Sequence, residues 1–388
     1  MAFGIGVCDF MYTQENIMAI LYSGITGIGI LFATMVWSLM VLPNPSFRFK
    51  APPLGITVFA LFILYTLAII VLMPKGDISV VVRIIRMSMH VLLVLVMVGT
   101  YRWYSVNEMS LWEKRCIVVV FVMLAITYLR VLLMCISNLQ LEHLGISYYL
   151  LFALPLAFLV KQWKWKILFI VVAFAIILSS MKRGGAAALV IGLIVYFMVY
   201  LKIRSYNIIK AFTILVVVLS VLAAAFLFFG SQEVEGERMT LVERFENVGQ
   251  DGGSNRDRVY SKTIDMIASQ DGIGWFVGNG YNAVLVDSTI HYSAHNDYLE
   301  ILYDYGIIGL LMYVFFTLSF FRLALRLTLK KDELAPIVCF QFSNFILMGN
   351  VSHIFIYMLM ALVVFTYGLG QGRMRMLAEA VQKETEAQ

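Results

Sequence analysis

The stretch PPLGITVFALFILYTLAIIVLM, residues 52–73, runs for 22 positions without a charged side chain. As an α-helix rising about 1.5 Å per residue it crosses a hydrocarbon core of roughly 30 Å. Pro52 and Pro53 suit a helix start, where a missing amide hydrogen costs little. Similar apolar runs recur on both sides, and they predict eleven helices at 17–42, 52–73, 84–101, 116–136, 146–160, 167–180, 186–201, 211–230, 306–321, 334–350 and 352–370. Of the 388 residues, 61% are hydrophobic and 14% charged, which excludes an ordinary water-soluble globular domain. The fold class read from this pattern is all-α, a polytopic transmembrane helix bundle of about 11–12 spans.

Lys and Arg alternate between the connecting loops. The set holding Arg48, Lys50, Arg102, Lys114, Arg322 and Arg373 has 18 of the 29 basic residues, and the opposite set has 10. By the positive-inside bias the richer side is the cytoplasm, so the C-terminus is expected inside, with the N-terminus and residues 231–305 outside. The chain then reads as N-terminal transmembrane helices (1–230), one large extracytoplasmic loop (231–305), and C-terminal helices with a cytoplasmic tail (306–388). A loop of this length is usually functional. Within it, Ser254-Asn255-Arg256-Asp257 has the form of a helix start with Ser254 as cap, and Gly272–Gly280 must turn. The net charge of +5 follows from the same bias and implies no nucleic-acid partner. The N-terminus up to Asn16 lacks the basic residues of a cleavable signal, so the first helix is expected to stay in the mature protein.

The polar residues that stand out gather around this loop. In HNDYLE, residues 295–300, a helical reading places His295, Leu299, Leu302, Gly306 and Gly309 on one face, with His295 at the outer mouth of the ninth span. The plainer reading is an interfacial histidine without chemistry. Asp297, Glu300 and Asp304 either orient His295 or an arginine, or simply favour a helix start. Arg130 falls inside the fourth span, where it either meets a substrate or snorkels to the outer surface. His291 lies four residues before His295, yet no Glu or Cys completes a metal-ligand pattern, and the four cysteines are scattered singly, so no metal and no cofactor is expected. His90, His143 and His353 read as single residues that satisfy local hydrogen bonds.

The run HNDYLEILYDYGIIGLL resembles the signature of the O-antigen polymerase and O-antigen ligase superfamily. SSMKRGGAAALVIGL resembles that family's arginine segment at the outer start of a span, while GGSNRDRVY and WFVGNGYN resemble its arginine helix and Gly-rich turn. The resemblance covers about Ser179 to Leu311 and implies a GT-C-like membrane glycosyltransferase of the bacterial inner membrane. It implies His295 as the catalytic residue and Arg183 and Arg256 on the diphosphate of an undecaprenyl-linked donor; by its depth in the fourth span Arg130 is a further diphosphate candidate, and Arg258, Asp297, Tyr298 and Glu300 are supporting candidates. The chemistry suits those residue types, because guanidinium groups bind phosphate oxygens bidentately and a neutral imidazole accepts a hydroxyl proton near pH 7. Expected partners are an undecaprenyl-diphosphate-linked oligosaccharide, membrane lipids, and a chain-length regulator or flippase of the same pathway.

Three functions compete. A polymerase extends lipid-linked repeat units, a ligase moves the finished chain to the lipid A core, and a transporter or flippase carries lipid-linked sugars without chemistry. A carrier places its polar sites near the bilayer midplane on paired halves. Here the polar cluster is at a surface and no halves repeat, which sets the transporter behind. Polymerase and ligase share the motifs, and the polymerase reading leads because sequences with this motif set and a compact loop are more often polymerases.

Overall fold

The computed structural model describes residues 52–75, 80–137, 146–180, 182–204, 213, 231–234, 237–240, 252–289, 292–355 and 359–387, without the side chains of 80–82, 130–137, 146, 231–234, 237–240 and 252–255. The predicted spans 17–42 and 211–230, the side chains of Arg130 and Ser254, and His291 lie outside what is described.

Each of the other nine predicted spans falls on a helix. They are α1 (Leu54–Leu72), α2 (Val80–Tyr104), α3 (Leu111–Ser137), α4 (Ile146–Ala157), α5 (Trp163–Ser179), α6 (Arg183–Arg204), α10 (Asp297–Leu329), α11 (Ala335–Val351) and α12 (Leu359–Ala387). Four stretches, Leu54–Leu72, Arg83–Tyr104, Arg183–Arg204 and Asp297–Leu329, are long and apolar enough to cross a membrane. The protein is a polytopic helical membrane protein. The loop adds three short helices, α7 (Gly252–Ala268), α8 (Gly272–Val277) and α9 (Ala283–Asp287). It also holds the one non-helical pairing among the described residues, an antiparallel hairpin of β1 (Ser231–Val234) with β2 (Glu237–Thr240) in which Ser231 faces Thr240.

Two boundaries differ from the sequence reading. Residues from Gly252 are already helical, so Ser254 is inside α7 and is not its cap. Residues 352–355, expected at the start of the last span, are not helical, because the N–H groups of Ile354 and Phe355 are spent on a side chain described below.

The described residues divide between two compact units. One draws on Glu108–Gly249 and Ala324–Met348, and the other on Gly27–Asn107, Gln250–Leu323 and Gly349–Gln388. In the first, α3 meets α5 through Phe121 and Phe169, their ring centroids 4.9 Å apart, and Tyr128 shares a 2.8 Å hydrogen bond with Ser179. In the second, α12 crosses closely over α2. Gly368 and Gly372, four apart, face the carbonyls of Met97 and Tyr101, which a Cβ would approach to 2.6 and 2.9 Å. Without a hydrophobic force between helices in lipid, small residues of this kind let backbones touch. An aromatic cluster fills the second unit, with Phe62 4.7 Å from Phe355 and Phe59 4.7 Å from Phe316.

Candidate active site

The loop folds on the start of α10. α7 turns Val259, Thr263 and Ile267 inward, each four residues from the last, and exposes Lys262 and Asp265. Ile267 joins Ala283 and Val284 of α9 with Ala294 and Tyr303 in a small core, against which Met266, Leu299 and Leu302 pack.

A break in α10 fixes the Gly-rich turn to this core. Gly306 has φ 65° and ψ −170°, a conformation open only to glycine, so the helix stops its hydrogen-bond ladder there. The carbonyls this leaves are taken by the turn: Asn279 N–H donates to Tyr303 O at 3.0 Å and Gly280 N–H to Asp304 O at 3.1 Å. Gly278, at φ 90°, lies so close to the Asp304 carbonyl that no Cβ fits. From α1, the Tyr65 hydroxyl reaches Val277 O at 2.7 Å and Tyr305 O at 3.1 Å. α1 is thereby fastened to the loop.

Three buried carboxylates on one face of α10 complete the fastening. Asp304 accepts from the N–H groups of Asn282 (2.8 Å) and Val284 (2.9 Å), covering the start of α9. Asp297 accepts from Tyr313 Oη at 2.9 Å and from the N–H of Ile354 at 3.1 Å, which holds Ser352–Phe355 out of helix. Glu300 Oε2 accepts from Ala294 N–H at 3.1 Å and lies 2.9 Å from His353 Nδ1.

His295 is not on a helix, contrary to the sequence reading. Asn296 Oδ1 accepts from the N–H groups of Tyr298 (3.0 Å) and Leu299 (3.1 Å), the bonds of an N-cap, so α10 starts one residue after Asn296. His295 precedes the cap in a left-handed conformation, φ 50°, and is half-buried. Its ring lies against that of His353, with centroids 4.7 Å apart and planes 33° from parallel. The Tyr260 hydroxyl of α7 points at the carbonyls of Asn350 (2.7 Å) and His295 (3.3 Å). Half-buried Arg256 stands one turn earlier on α7, and its charge is felt by both neighbours. Burial lowers His353 to about 4, Asp297 pulling it up and Arg256 pushing it down; burial raises the Tyr260 phenol, against Arg256 and a bond to Asn296.

Of the residues expected in a site, the structure gathers His295, Arg256, Asp297, Tyr298 and Glu300 in one unit. Asp297 and Glu300 turn to the 352–355 segment and to His353, while Tyr298 packs edge-on to Tyr313 at 5.5 Å. Arg258 is exposed on α7. Arg183 opens α6 and Arg130 lies in α3, both in the other unit. Sequence reasoning missed Ser293, Tyr260 and the role of His353. The signal for His353 was the polar break Gly349-Asn350-Val351-Ser352-His353 between two apolar runs.

Fold and site together define a helical membrane protein that presents a histidine and an arginine from a loop folded on the head of a spanning helix. Residues 167–314, from within α5 to the middle of α10, match the family described as O-antigen ligase. That match supports the O-antigen polymerase and O-antigen ligase superfamily for this segment, and with it a function of that general type. No curated protein matches the chain.

Proposed function

We propose that this protein is a glycosyltransferase of the bacterial inner membrane that polymerises undecaprenyl-diphosphate-linked oligosaccharide repeat units on the outer face. The reading rests on one observation above others. His295 is half-exposed at the head of α10, beside the Arg256 helix, inside the segment matched by the O-antigen ligase family.

In this mechanism the His295 imidazole takes the proton of an acceptor sugar hydroxyl as its oxygen attacks the donor's anomeric carbon. The bond from that carbon to the diphosphate breaks, the diphosphate leaves with the electron pair, and the configuration inverts. Arg256, Arg183 and Arg130 hold the diphosphate; charged and bidentate, they stabilise it as it departs and make a divalent ion unnecessary. The 1–230, 231–305 and 306–388 segments serve as anchor, site-bearing outer loop and closing helices. A ligase that transfers the finished chain to the lipid A core is the second reading, and the matched segment suits both.

The test is purified protein incubated with a synthetic undecaprenyl diphosphate repeat unit in the presence of a chelator, with products sized on a gel. The wild type should build a ladder. His295→Ala should insert normally and lose about 10²–10⁴-fold in rate, which removes the ladder. A normal ladder from His295→Ala sinks the base assignment, and chelator-abolished activity sinks the metal-free reading. In the same assay Arg256→Ala should forfeit about 1.5–3 kcal/mol per charged hydrogen bond, with Lys restoring part of it. Full activity of the Ala variant removes Arg256 from the mechanism.

A further inference from the structure

His295 stands before the cap of α10, so the regular ladder of the helix does not set its ring. What meets the ring face is His353, 58 residues later in the chain and 2% exposed. His353 is itself gripped from two sides. Nε2 shares a 2.6 Å hydrogen bond with Ser293 Oγ, and Nδ1 lies 2.9 Å from Glu300 Oε2, whose orientation is set by the Ala294 N–H. Ser293 and Ala294 are the two residues leading into His295, so the strand of chain that carries His295 and the plate its ring rests on share the same partners. In the tautomer with its proton on Nδ1, His353 Nε2 accepts the Ser293 hydroxyl.

The charged and titratable groups facing this pair come from two elements. α10 supplies Glu300 and Asp297, and α7 supplies Arg256 and Tyr260. When His295 takes a proton, its ring lies 4.7 Å, centroid to centroid, from a His353 whose place is set by Ser293 and Glu300.

Building on the base assignment above, we propose that His353, held by Glu300 and Ser293, is a positioning residue that fixes the ring plane of His295 and couples it to a buried carboxylate. Its effect is on the proton-transfer step and not on donor affinity, because none of the three partners lies on α7 with Arg256.

The experiment is steady-state kinetics of the purified full-length protein with the synthetic donor, on His353→Ala, His353→Gln, Ser293→Ala and Glu300→Gln, each checked for a normal gel-filtration profile. His353→Ala should lower kcat about 10- to 100-fold, as a displaced catalytic group does, with the donor KM unchanged. Glutamine, which keeps a polar side chain between Ser293 and Glu300, should recover part of that loss. Glu300→Gln, which changes the group facing His353 Nδ1 and so loosens the plate on which the His295 ring rests, should lower kcat with the donor KM unchanged. Ser293→Ala, the mildest change, should lower kcat least and guards against misfolding of the His353 variants. Unchanged kcat in folded His353→Ala and Glu300→Gln would overturn the proposal. So would labelling of Ser293 by a fluorophosphonate in the wild type, which would make His353 the base of a serine nucleophile. The base assignment stands apart, since loss of activity in His295→Ala together with normal His353→Ala kinetics removes only the positioning role.

Discussion

Upstream of Gly306, α10 buries Asp297, Glu300 and Asp304; downstream, from Ile307 to Phe321, it has no charged residue and exposes Ile308, Leu311, Phe315, Leu318 and Phe321 along one side. The second half suits a lipid neighbour, for which an exposed leucine is no liability. By the same token it has little to hold a particular orientation, since lipid tails are as apolar as the side chains they touch. The first half works by directional bonds. Each carboxylate there takes N–H groups from a different stretch of chain, residues 282–284, 294 or 354, so its hydrogen bonds decide where those stretches lie.

The sharpest way to break this contrast is Asp304→Ala. It strips two hydrogen bonds and leaves the buried N–H groups of Asn282 and Val284 without them, for an expected loss of about 3 kcal/mol. Limited proteolysis of the 278–289 turn in detergent reads that loss, and Asp304→Asn should show less of it. A turn as resistant as wild type in Asp304→Ala would mean that α9 is held by its apolar contacts alone.

Gly306→Ala tests the boundary itself. A Cβ there meets the Phe276 carbonyl, and the left-handed conformation costs a non-glycine residue about 1–3 kcal/mol. Thermal unfolding should drop accordingly, and loop proteolysis should rise with it; an unshifted transition would argue that α10 can straighten without loss. The smallest effects sharpen the comparison. Tyr65→Phe removes the hydroxyl that joins α1 to Val277 and Tyr305 and should cost about 1 kcal/mol, whereas Leu311→Ala, on the lipid side, should stay within about 0.5 kcal/mol. Equal losses from the two would erase the distinction drawn here.

How much of this was legible follows the same division. The spans were readable because a bilayer demands some twenty apolar residues in a row, and runs such as 52–73 state that locally. The motif around His295 was readable too. Its geometry was not. The expectation of a helix through His295 failed on Asn296, whose side chain competes for the N–H groups of the first turn. Asp297 and Glu300 looked like aids to His295, but their partners at 353 and 354 lie more than fifty residues on, a pairing no local pattern announces. His353 was read as satisfying local hydrogen bonds, but Ser293 and Glu300 lie 60 and 53 residues back in the chain, and its contact with His295 is likewise a fact of tertiary packing.

The carbonyls released at Gly306 also bear on how the protein is made. Asn279 and Gly280 leave the ribosome before Tyr303 and Asp304, their acceptors, and the segment at 352–355 that seats both Asp297 and His353 follows only after α11. During synthesis the loop therefore has its histidine and its arginine long before it has the means to hold them in place. A nascent chain stalled ahead of residue 349 would carry the proposed catalytic side chain with no seat for its ring.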